Sequence, residues 1–80
     1  MPTKDYAISA KISIIWKITV HHLKVVKMMN VDDIDEYNRY TMHIIAHFRK
    51  IEERIITENI IIDKVKYDQE IRDIIKNLQK

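Results

Sequence analysis

The stretch "HIIAH", residues 43 to 47, sets two imidazoles four positions apart, so His43 and His47 would share one face of a helix. Neutral imidazole is a common ligand for zinc, copper or nickel, and an i, i+4 pair can grip such an ion. A structural zinc site takes four ligands and a catalytic one takes three protein ligands. No third donor presents itself, since Glu36 lies about 10 Å along the axis from His43 at about 1.5 Å per residue. The plainer reading is a pair of partly exposed histidines among Arg39, Lys50 and Arg54, and neither a metal nor another cofactor is expected. His21 and His22 are adjacent and would point apart on a helix.

Other chemistry is thin. The chain has no glycine and no cysteine, so a phosphate-cradling glycine loop is ruled out. Nucleophile elbows and spaced carboxylate pairs are also absent, and no enzyme activity is expected. "RKIEER", Arg49 to Arg54, offers one attractive and one repulsive pairing on neighbouring helical turns and reads as a solvated face. Trp16 and the tyrosines sit at positions consistent with a core, and Met28 and Met29 read as core fillers at a helix end.

The elements that would position these residues are uneven in clarity. Ile34, Tyr37, Thr41, Ile44, Phe48, Ile51 and Ile55 recur at three- and four-residue steps, which is the stripe of an amphipathic helix. Asp32 or Asp33 in "NVDDIDE" can cap its start, and Asp33 with Glu36 has the spacing of a capping box. Thr57, Glu58 and Asn59 end the stripe, and Asn tolerates the left-handed conformation of a helix end. Beyond Ile60 the apolar stripe returns on a different face through Tyr67, Ile71, Ile74 and Leu78, which predicts a separate third helix from about Asp63.

Residues 6 to 29 satisfy two patterns. "AKISIIWKITVHH", residues 10 to 22, is apolar at every even position from Ala10 to Val20, as in a strand. Helical spacing also fits, with Ser9, Ser13, Lys17, His21, Lys24 and Lys27 on one side and Ile8, Ile12, Ile15, Trp16, Leu23 and Val26 on the other. A strand over about 7 to 14 followed by a helix over about 16 to 29 accommodates both. The expected fold is therefore mainly α, a short N-terminal strand and three helices, with an all-α three-helix chain as the alternative.

The 80 residues fit one small domain, and a domain of this size buries only about 60% of its unfolded surface. Lacking disulfides, such a chain gains most simply from oligomerisation, and a homodimer or higher homo-oligomer is expected. At 46% hydrophobic and 32% charged, with Lys11, Lys17, Lys24 and Lys27 interrupting the longest apolar runs, the composition is that of a folded soluble protein. Neither a membrane-spanning segment nor a secretory signal is evident, and a cytoplasmic location is expected. A net charge of +2 permits contact with nucleic acid without demanding it.

Strand, helix, short turn and helix in that order resembles the ribbon-helix-helix DNA-binding proteins over roughly Ile8 to Lys50. The resemblance implies that two chains pair their strands into a ribbon that enters the major groove. Ser9, Lys11 and Ser13 would then face the bases, Ile8, Ala10, Ile12 and Ile14 would face inward, and Lys4, Lys17 and Lys24 would lie near phosphates. The sequence departs from that family at Asn30, where a glycine is usual, and in the acid of "DDIDE", which stands where a DNA phosphate usually sits on the second helix. Two functions follow as expectations: a dimeric DNA-binding transcriptional regulator, or an α-helical homo-oligomeric interaction module or adaptor that binds no DNA. The conformation of residues 7 to 14 separates them.

Overall fold

A computed structural model describes residues 3–29 and 31–79, with side chains from residue 7 onward. Three helices follow one another: α1 (Thr3–Met28), α2 (Ile34–Glu58) and α3 (Lys64–Leu78).

The second and third helices begin and end where local chemistry directs. Asp33 caps α2, its Oδ1 accepting the Asp35 amide at 2.9 Å while its carbonyl accepts the Tyr37 amide at 3.0 Å. Glu36 does not close the expected capping box and instead accepts a hydrogen bond from the Tyr40 hydroxyl at 2.5 Å. At the far end Asn59 adopts φ 49° and ψ 41°, and its amide donates to the Ile55 carbonyl at 2.9 Å. Its short amide side chain tolerates that left-handed backbone. Asp63 then caps α3, accepting from the amides of Val65 at 2.9 Å and Lys66 at 3.3 Å.

The first element corrects the sequence reading. Residues 7 to 14 are helical, part of one continuous helix to Met28, and no strand occurs among the described residues. A lone strand would leave its backbone amides and carbonyls without partners, whereas a helix satisfies them internally. Nothing between Tyr6 and Met29 interrupts the run, so the helix passes through the Ile14 to Trp16 joint at which a change of element was expected. Asn30, the position of the departure from the ribbon family, lies outside the described residues.

Cross-helix contacts set the directions. Lys11 and Trp16 of α1 meet Asn59 and Phe48, so α1 and α2 run antiparallel. Thr19 and His22 meet Tyr67 and Asp68, so α3 runs alongside α1 in the same sense. The result is an up-down-up bundle, elongated at 49 × 19 × 17 Å. Its core takes Ile15 and Val26 from α1, Tyr40, Ile44, Phe48, Ile51 and Ile55 from α2, and Tyr67, Ile71 and Ile75 from α3. Three positions read as apolar core turn outward: Trp16 is 44% exposed, Met28 82% and Ile34 73%. Among the described residues no helix is long and apolar enough to cross a membrane.

Candidate interaction surface

Polar contacts hold α3 to both other helices. The Thr19 hydroxyl donates to the Ile15 carbonyl at 2.8 Å, which uses its one proton, so the Tyr67 hydroxyl donates to Thr19 Oγ1 at 2.5 Å. Burial pushes the Tyr67 phenol above its ordinary range, and the nearby Glu70 charge adds to that shift. One residue on, Asp68 meets His22 Nε2 at 2.6 Å and accepts from Arg72 Nε at 2.8 Å. Hydrogen bonds from His22, then from Arg72, hold the Asp68 carboxyl below the usual carboxylate range. From α2, His47 Nε2 meets Glu70 at 3.0 Å, and its ring stacks on Tyr67 with centroids 5.6 Å apart. These side chains are occupied with each other, and they fix which sides of α1 and α2 are covered by α3.

The opposite side is open. Between α1 and α2 lies a groove of about 450 Å³ lined by Ser9, Ile12, Ser13, Trp16, Phe48 and Glu52. Trp16 forms its wall, its ring tilted 57° to that of Phe48 at a centroid distance of 4.9 Å. Tilted aromatic pairs of this kind are favourable beyond the area they bury. Phe48 is nearly buried, whereas Trp16 leaves almost half its surface to solvent.

Helical geometry extends this strip along the molecule. At roughly 100° per residue, Ile34, Met42, Ile45 and Ile56 fall on the flank of α2 that Phe48 and Glu52 mark as facing the groove. Arg39, His43, Lys50 and Arg54 fall on the other flank, the one that His47 and Tyr40 direct toward α3. On α1 the same geometry puts Ser13 and Val20 beside Trp16. The exposed large apolar residues of α2, which are Ile34, Met42 and Ile56, thus all belong to the groove side. At the edge of this flank, Thr41 has a buried Oγ1 with no hydrogen-bond partner.

The residues expected to read DNA are dispersed. A strand would place Ser9, Lys11 and Ser13 on one face, whereas on the helix Ser9 and Ser13 enter the groove and Lys11 points elsewhere, donating from Nζ to Asn59 Oδ1 at 3.1 Å. Lys17 and Lys24 are exposed. The side chain of Lys4 lies outside the described residues. His43 and His47 part company as well, since His47 is bonded to Glu70 and His43 is exposed. Among the described residues no three His, Cys, Asp or Glu side chains gather in a way that could hold a metal ion.

Sequence reasoning missed two of the residues that matter. His22 is 3% exposed and bonded to an acid 46 positions away, which adjacency to His21 could not signal. Trp16 was legible as apolar but not as the apolar residue left at the surface. Comparison of the chain with protein-family models, with curated proteins and with solved structures finds no match.

Proposed function

We propose that this chain is an α-helical protein–protein interaction module that works as a homo-oligomer. Trp16 carries this reading: a large aromatic residue at the wall of an open groove, above a nearly buried phenylalanine, with further exposed apolar residues on the same flank of α2. Tryptophan is the residue type most enriched at the energetic centres of interfaces, where its wide surface is desolvated. A contiguous apolar strip on a small chain is a recurrent mark of a contact surface. The regulator alternative depended on a ribbon, and the helix across residues 7 to 14 leaves Ser9, Lys11 and Ser13 without a common face.

Sedimentation over a wide concentration range tests the proposal. The expected outcome is a mass that rises above 9.7 kDa at micromolar concentration and falls back in Trp16→Ser, with helical content unchanged. A 9.7 kDa species at every concentration would count against it. A dimer that shifts duplex DNA, and does so equally in Trp16→Ser, would favour the regulator reading instead.

A further inference from the structure

The α1/α2 face differs in charge between its two halves. From Ala7 to Met29 the sequence contains four lysines, Lys11, Lys17, Lys24 and Lys27, and no acid. Of these, Lys17, Lys24 and Lys27 are exposed, and Lys11 is engaged with Asn59. On the neighbouring α2, the outward and groove-facing side carries Asp35, Glu52 and Glu53 against Arg49, with Arg39 beside Asp35 at its outer edge. One half of the face is cationic and the other mostly anionic, so the face complements a copy of itself that is turned over.

We infer that the occupant of this face is a second copy of the chain, related by a two-fold axis parallel to the helices, with α1 of each copy lying over α2 of the other. The inference rests on the reading of the chain as a self-associating module and adds the partner's identity and its orientation. A two-fold contact is isologous, with the same patch on both sides. The alternative two-fold, α1 over α1, would set two acid-free lysine helices against each other, and like charges so placed weaken association. Placing α1 over α2 instead brings Lys17 to within about a turn or two of the level of the partner's Glu52 and the partner's Glu53, so its charge meets acid instead of a second lysine helix. It also seats the two Trp16 rings on the partner's groove flank. The long side of the molecule, 49 × 19 Å, has room for a standard interface of about 800 Å² per partner.

Charge-reversal pairs test the orientation. One variant carries Lys17→Glu and Lys24→Glu, the other Glu52→Lys and Glu53→Lys, and all four positions lie on the surface or at the groove rim, so circular dichroism should match the wild type. Each variant alone should self-associate at least about tenfold more weakly than wild type at low salt. An equimolar mixture of the two should recover wild-type association, because each reversed α1 then meets a reversed α2. If the Lys→Glu variant binds unmodified protein more tightly than wild type binds itself, α1 lies over α1 and the orientation is overturned. If both variants associate like wild type and neither binds unmodified protein more tightly than that, the interface lies elsewhere while the module reading stands. If wild type itself stays monomeric, the module reading fails with it.

Discussion

The phenol of Tyr67 and the hydroxyl of Thr19 form a 2.5 Å hydrogen bond in the core, with the proton supplied by tyrosine because that of threonine is already given to the Ile15 carbonyl. Both residues are buried, Thr19 completely. This direction makes the pair asymmetric. Tyr67→Phe removes a donor and leaves Thr19 still bonded to Ile15, at a cost of about 0.5 to 1.5 kcal/mol. Thr19→Val strands a buried phenol and should cost about 1 to 3 kcal/mol. The double variant should cost less than the sum of the two, and urea unfolding of all four proteins measures that coupling. Equal single effects that simply add would show that the proton is not placed as described.

Thr41 offers the opposite opportunity. Its Oγ1 is buried without a partner, and such a group carries an uncompensated desolvation cost. Thr41→Val keeps the shape and removes the hydroxyl, so stability should rise by about 1 kcal/mol, which for a domain this small corresponds to roughly 4 to 8 °C in thermal midpoint. A lowered midpoint would mean that the hydroxyl has a partner.

Asp68 makes stability depend on acid. Its folded-state carboxyl is held below the ordinary range by His22 and then Arg72. A depressed carboxyl contributes stability that is fully present above its unfolded value, about 3.9, and is lost as pH falls through the lower folded value. Wild type should therefore lose stability below about pH 4 more steeply than Asp68→Asn. Thermal midpoints of both proteins from pH 6 to pH 2 check this, and parallel curves would remove Asp68 from the account.

How much of this was written in the sequence varies by helix, for physical reasons. Asp33, Asn59 and Asp63 act on amides and carbonyls within a few positions, so the limits of α2 and the start of α3 could be read locally. In α2 the stripe from Ile44 to Ile55 matched the buried face, whereas Ile34 fell outside it because its helical angle, that of Glu52, puts it on the groove flank. The helix over residues 7 to 14 was harder to read. Apolar side chains go round most of α1, with Ile14, Ile18 and Val25 on one flank and Trp16 and Val20 on the other, so neither period dominates. Contacts 46 to 48 positions away, from His22 to Asp68 and from Thr19 to Tyr67, orient the helix, and no local pattern encodes them.

Trp16 is the only tryptophan in the chain, which makes its fluorescence a direct reporter on the proposed contact surface. The decisive measurement is its emission spectrum as the protein is diluted from about 100 micromolar to about 0.1 micromolar, a span that brackets the affinities of weak to moderate protein contacts. Burial of Trp16 against a second molecule predicts blue-shifted emission at high concentration that moves to the red on dilution, with a midpoint shared by the sedimentation transition. Emission that stays the same across the whole range, while sedimentation gives a single 9.7 kDa species, would contradict the account.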